Sequence, residues 1–586
     1  MNHKSSKKIS ILELLKASEH TTMTILAVIV GIAGGFGAVG FRYLIDFFQS
    51  VSFGSMGNFL DSVQSAPWYF RVGIPTAGGL VVGPIVYFLA KEAKGHGVPE
   101  VMEAVALSNG IIRKRIVFIK AFVSAVCIGT GGSVGREGPI VQIGSAVGSA
   151  IGQELKVSAD RIRTLVGCGA AAGIAATFNA PIAGLMFALE IVLGDFGLAT
   201  FSPIVISSVA ATAVSRYFLG DAPAFFVPAY ELISAWELPL YVVLGLFCAL
   251  VGVGFTKALY RAEDLFDGLK FPEYLKATLG GLILGAMALV FPQIMGVGYP
   301  AIDMALAQQF SWWFMFLLAA FKILATSITI GSGGSGGIFA PSLFMGAMAG
   351  GFFGTGVHAV FPGMTASPGA YSIVGMGAVV SATTHGPLSA ILILFEMTGD
   401  YKIILPLMIA CIIGSLASGR LLKESIYTLK LARRGVNIRA GKEVNVLKSI
   451  SVKDVMNPAV ETIPEDLSLG KFVEKISKSK YNSFPVVDGE SNLTGILSFL
   501  DYHGAVFDEN LKDLVVVKDL ATKEVVTMAL DSNLYSALEA ITLKDFSILP
   551  VVSPDNPLKL LGVLSRRDII GAYEKAVIKK SLLEES

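Results

Sequence analysis

Between about residues 22 and 435 the chain alternates apolar runs with short breaks of glycine and proline. The first run, from Thr22 to about Phe48, is long enough to cross a bilayer. Many later runs fall short of the ~20 residues that a perpendicular helix needs. The pattern predicts a polytopic α-helical membrane region in which broken helices meet inside the bilayer. After about residue 440 it changes to charged segments with alternating valine and isoleucine, as in "SFPVVDGESNLTGILSFLD" (483–501). That stretch predicts a soluble α/β tail.

Composition agrees. Hydrophobic residues make up 53% of the 586 positions and charged residues 16%, with mean hydropathy +0.66. An ordinary soluble domain is about half apolar and about a quarter charged. The 46 basic and 45 acidic residues leave a net +1, which makes no electrostatic case for a nucleic-acid partner. The first run lacks a small-residue cleavage site after it and reads as a retained membrane helix. Lys4, Lys7 and Lys8 precede it, and Lys430, Arg433, Arg434, Arg439 and Lys442 follow the last apolar run. The positive-inside tendency then puts both termini in the cytoplasm. Cys127, Cys168, Cys248 and Cys411 lie in apolar surroundings without metal-ligand spacing, and read as buried reduced thiols.

The membrane region repeats itself. "GTGGSVGREGPIVQIGSAVGSAIG" (129–152) lies over "GSGGSGGIFAPSLFMGAMAGGFFG" (331–354) at an offset of 202 residues, matching at Gly135/Gly337, Pro139/Pro341 and Gly144/Gly346 among others. A second anchor follows in each half: "ATFNAPIAGLMFALE" (176–190) over "ATTHGPLSAILILFE" (382–396), pairing Glu190 with Glu396. Duplicated halves with interrupted helices point to a transport site at the repeat interface. Whether the halves run parallel or inverted is not readable from these residues.

In both copies a Gly/Ser run ends in a proline that opens an apolar stretch, the pattern of a loop followed by a first helical turn. Bare backbone N–H groups at a positive helix end favour an anion. Two such turns make an anion site with no lysine needed, weak enough to release its ion. Gly144, Gly148 and Gly152, spaced four apart, read instead as helix-packing residues. "GSGGSG" (331–336) fits a dinucleotide fingerprint, but no soluble strand precedes it and no acidic residue follows at the expected distance. Glu137, a carboxylate at membrane depth, is a functional candidate. Ionised, it occupies the positive helix end; protonated or displaced, it leaves that place to the anion. The structural alternative is an ion pair with Arg136 or a helix cap.

These residues resemble the CLC family of chloride channels and chloride/proton antiporters. "GHGVPE" (95–100), "GREGP" (135–139) and "GIFAP" (337–341) appear in that family's order, within a resemblance covering about 22 to 435. It implies an inverted-repeat fold and a homodimer with one pore per subunit. It makes Glu137 the gating glutamate, and His96, Gly97, Gly135, Arg136, Ile338, Phe339 and Tyr427 the anion-site residues, the amides of Ile338 and Phe339 coordinating the ion. Two departures stand out. His96 replaces the family's serine, adding an imidazole that can gain charge as pH falls. Glu190 is followed by Ile191 where the family's antiporters commonly carry a second acidic residue. Because Glu190 recurs as Glu396, it reads as structural in both copies.

The tail is a second duplication: "VKDV" (452–455), Thr462 and "PVV" (485–487) recur as "VKDL" (517–520), Thr527 and "PVV" (550–552) at an offset of 65 residues. This resembles a tandem of CBS domains. Ser498, Asp501, Ser565 and Asp568, with Thr462 and Thr527, are candidates for an adenine nucleotide (ATP, ADP or AMP); helix capping is the alternative for the Ser/Asp pairs.

The expected organisation is an N-terminal segment 1–21, a membrane domain 22–435 with halves at about 22–220 and 238–435, a linker 436–450, CBS domains at 451–506 and 514–575, and a tail 576–586. The expected function is transport of chloride or a similar small anion, gated or proton-coupled through Glu137, with no enzymatic activity, no required cofactor and no metal site. The alternatives are an uncoupled channel, fluoride or nitrate as the ion, and a nucleotide-sensing CBS protein with a membrane anchor.

Overall fold

The computed structural model describes residues 19–54, 58–221, 233–436, 447, 450–479, 481–506, 511–544 and 546–584. Residues 1–18 of the expected N-terminal segment and most of the expected linker lie outside the described residues, as do Lys4, Lys7, Lys8, Arg439 and Lys442. The chain separates into two compact units, Met1–Val436 and Asn437–Ser586.

Among the described residues the first unit has seven helices long and apolar enough to span a membrane: Thr21–Phe53, Trp68–Leu89, Leu198–Leu219, Ala235–Gly268, Trp312–Gly331, Phe339–Val360 and Tyr401–Leu421. Interleaved are helices too short to cross at 1.5 Å per residue, including Val98–Leu107, Pro181–Phe187, Tyr299–Leu306, Pro387–Thr398 and Thr428–Arg433. The broken helices expected from the short apolar runs are therefore present.

The halves meet about a local two-fold axis, visible as contacts that swap their partners. Gly135 N donates to Gly337 O at 2.7 Å and Gly337 N donates back to Gly135 O at 2.6 Å. The Ser124 hydroxyl meets that of Ser335 at 2.9 Å, and the counterpart pair 202 residues on, Thr326 with Ser133, meets at 3.2 Å. Glycine makes the close approach possible: a Cβ on Gly337 would lie 2.7 Å from Gly138 N. Gly144 and Gly148 let the Glu137–Glu154 helix press on the carbonyls of Gly169 and Leu165, and Gly346 and Gly350 do the same against Gly375 and Tyr371. That is the packing role expected of them. The four cysteines are free and buried.

The second unit holds two three-stranded sheets of identical construction. In the first, Ile463–Pro464 pairs parallel with Ser483–Val487, which pairs antiparallel with Leu493–Ser498. In the second, Met528–Ala529, Ile548–Val552 and Leu560–Ser565 repeat this order, with a register shift at Val551/Val552 matching that at Val486/Val487. Phe472, Phe484 and Leu497 fill one core, and Leu534, Leu549 and Leu564 the other. The sheets exchange lead-in segments: Asn457 exchanges backbone hydrogen bonds with Val563, and Thr522 with Ile496.

Candidate anion site

Backbone geometry brings four helix starts together. The Glu137–Glu154 helix begins after Arg136, and Phe339–Val360 after Ile338. Pro139 and Pro341 therefore stand two residues inside their helices rather than at the opening position. They are tolerated there because first-turn N–H groups have no intrahelical partner. The Val98–Leu107 helix starts after Gly97, whose φ of 86° places it where L side chains are disfavoured. Thr428–Arg433 starts after Tyr427.

Glu137 is 1% exposed. Its Oε2 accepts from Ala340 N at 3.3 Å, in the first turn of the other half's helix, and its Oε1 accepts from the Tyr299 hydroxyl at 2.9 Å. A carboxylate thus stands against a first-turn amide of the other half's helix. Gly135 allows it to fold back, since a Cβ there would overlap Glu137 Oε2. Glu137 does not form the ion pair with Arg136 that sequence offered as an alternative; the Arg136 guanidinium lies 5.3 Å over the Tyr299 ring.

His96 is buried, with Nδ1 unpartnered, and its ring centroid is 5.6 Å from that of Tyr427. Beside it Lys430 donates to Glu100 at 2.7 Å, an ion pair with side chains only 8% and 12% exposed. Ile338, Phe339 and Tyr427 are each 1% exposed. The structure so gathers His96, Gly97, Gly135, Arg136, Glu137, Ile338, Phe339 and Tyr427. Two cavities adjoin them. One of about 710 Å³ is bounded by Arg42, Asp46, Arg136, Tyr299 and Asp303. The other, about 480 Å³, is bounded by Glu92, Glu100, Glu103, Gln142 and Arg434.

Glu190 and Glu396 cap each other's half. Glu190 accepts from Leu388 N at 3.1 Å, Ser389 N at 2.7 Å and the Ser389 hydroxyl at 2.6 Å. Glu396 accepts from Ile182 N at 3.1 Å and Ala183 N at 2.7 Å. The shared structural role read from their recurrence is what the fold uses. Ile191 packs on Gly386.

Sequence reasoning missed three residues. Lys120, fully buried, donates to Ala93 O at 3.0 Å and Gly95 O at 2.8 Å. Lys322, also fully buried, donates to Ile294 O and Gly296 O at 2.9 Å each. Each ammonium fixes the loop before a short helix. The signal was available, since two lysines 202 residues apart sit within apolar runs. Tyr299 carried none, because the first half has Val98 in the corresponding Gly-x-Gly-x-Pro loop.

In the tail, Asp501 Oδ2 accepts from Ser498 N at 2.7 Å and its hydroxyl at 2.6 Å, and Asp568 from Ser565 N at 2.9 Å and its hydroxyl at 2.6 Å. Both pairs cap their own helices here. Thr462 and Thr527 directly precede the first strand of their respective sheets.

Residues 78–419 match the family described as voltage gated chloride channel, and residues 452–507 and 517–575 match the CBS domain. The chain is 38% identical over 415 residues to a protein of Ralstonia nicotianae described as chloride channel protein ClcB-like, covering 70% of this chain and 97% of that one. It is 32% identical over 425 residues to the H(+)/Cl(-) exchange transporter ClcA of Vibrio parahaemolyticus, covering 71% and 91%. Among solved structures it is similar to a slow cyanobacterial Cl-/H+ antiporter, with TM-score 0.65 and 27% identity over 70% of this chain and 97% of that one.

Proposed function

The chain belongs to the voltage-gated chloride channel family and carries a tandem CBS pair, and on that premise we propose that it moves chloride or a similar small anion across a membrane with Glu137 as the gate. The observation that carries the reading is the Glu137 carboxylate, buried against Ala340 N at the head of the other half's helix. An anion reaching the amides of Ile338, Phe339 and Ala340 must displace it or wait for its protonation. Proton exchange follows from the same step: a carboxylate that picks up a proton when it leaves the amides gives it back when it returns. Relatives that are chloride/proton exchangers support coupling. Chloride efflux from liposomes tests the reading, because Glu137→Gln, uncharged in every state, should make flux indifferent to pH.

A second reading, an uncoupled channel, has its own support. Glu190 is engaged as a cap and the buried Ile191 carries no titratable group, which favours a pathway without a proton relay at this place. Simultaneous recording of chloride and pH separates the two.

We take the transporter as a homodimer with a pathway in each subunit and both termini cytoplasmic, on the family resemblance and the distribution of basic residues. His96, buried beside Tyr427, lines the anion path at the end away from Tyr299 and tunes selectivity with pH. The tail binds an adenine nucleotide through Ser498, Asp501, Ser565 and Asp568, with Thr462 and Thr527 as further candidate contacts. Each Asp then exchanges a capping bond for a ribose hydroxyl. Calorimetry of the purified protein with ATP, ADP and AMP tests this, and absence of heat leaves capping as the role of these residues.

A further inference from the structure

We propose that Tyr299 is a latch for the gate: its hydroxyl holds the Glu137 carboxylate against the Ala340 amide, and its release is the step that opens the path from the large cavity. The proposal rests on Glu137 being the gate. Tyr299 begins its own short helix, Tyr299–Leu306, after Gly298 at φ 94°. The loop before that helix is pinned by Lys322 through Ile294 O and Gly296 O. The hydroxyl is therefore delivered from a fixed support, and donates at 2.9 Å to Glu137 Oε1. Above the ring lies the Arg136 guanidinium, 5.3 Å from the centroid. A cation over the face draws electron density from the phenol and makes its O–H the stronger donor to a carboxylate.

The same ring is a wall of the cavity of about 710 Å³. An ion or proton arriving there reaches Glu137 past Tyr299. The duplication sharpens the point. The first half has Val98 at this place, with no hydroxyl to offer. The latch therefore belongs to one end of the pathway only. Charged and titratable groups around the gate are Arg136, Tyr299 and Tyr427, with Arg42, Asp46 and Asp303 farther out in the cavity.

The test uses purified full-length protein in liposomes, with chloride efflux measured against pH for the parent, Tyr299→Phe, Glu137→Gln and the double variant. Tyr299→Phe keeps the ring under Arg136 and removes only the hydroxyl. Flux at neutral pH should rise about ten-fold, the worth of one hydrogen bond to a charged group. The pH of half-maximal flux should move up by about one unit, because the ionised gate has lost its donor. In the Glu137→Gln background the same substitution should change nothing further. Parent-like rate and pH profile for Tyr299→Phe overturn the latch, as does an equal change with and without Glu137. If Glu137→Gln alone leaves flux and pH response untouched, the gate reading fails and the latch with it. Should Tyr299→Phe not fold, Tyr299→Leu is held to the same outcomes.

Discussion

The two halves of the membrane unit have one skeleton and different side chains at the candidate anion site. Glu137 heads the broken helix of the first half; 202 residues on, Phe339 heads that of the second. Arg136 faces Ile338, and Val98 faces Tyr299, across the same duplication. What both halves keep is architectural: Gly135 with Gly337 at the axis, the loop-pinning Lys120 and Lys322, and the exchanged caps Glu190 and Glu396. Duplication keeps what closes the fold, and divergence sets the Glu137 carboxylate of one half against the Ala340 amide of the other. The CBS pair contrasts with this, since Ser498/Asp501 and Ser565/Asp568 are alike in place and in the two bonds each Asp accepts. Its two candidate sites are equivalent, whereas those of the membrane unit are complementary.

If the caps are architectural, Glu190→Leu and Glu396→Leu should hurt stability alike. Each strands two first-turn N–H groups, at about 1–3 kcal/mol apiece, and Glu190→Leu should cost slightly more because the Ser389 hydroxyl also loses its acceptor. Thermal melts in detergent read this, and a loss confined to one half would break the comparison. Next in size are Lys120→Met and Lys322→Met, each removing a donor from two carbonyls, with an expected loss of about 2–4 kcal/mol. Lys322→Met should also loosen the support of Tyr299 and so alter flux, which sharpens the difference between halves. The smallest effect belongs to His96→Ser. It should leave stability within about 1 kcal/mol while changing the pH dependence of anion selectivity a few-fold, measured from reversal potentials or competing-anion flux. An unchanged profile would remove His96 from the ion path.

The skeleton was legible because it is written in residues with narrow alternatives. Glycines that let backbones touch, prolines in first helical turns and the recurring Glu190/Glu396 all appear at fixed offsets, and so predict the repeat and a structural role for both glutamates; the short apolar runs between them predict the broken helices, and the caps themselves emerge only in the fold. Glu137 was legible because a carboxylate at membrane depth needs a reason. Tyr299 was not: a tyrosine in an apolar run has many uses, and its position against Glu137 arises from contact between residues 162 apart in sequence. Lys120 and Lys322 lay between these cases, visible as a repeat, with their carbonyl partners set only by the folded loops. Capping and nucleotide binding ask for the same Ser and Asp, so the tail's pattern alone could not separate them.

The central claim is that the Glu137 carboxylate, seated on the other half's amides, exchanges its place with an anion and carries a proton as it does so. Liposomes containing the purified protein, given a chloride gradient and watched with a pH electrode, test it most directly. Protons driven uphill by the chloride gradient, abolished by Glu137→Gln while chloride flux persists, are the predicted result. Chloride flux with no proton movement in the parent, and with the same pH response in Glu137→Gln, would contradict it.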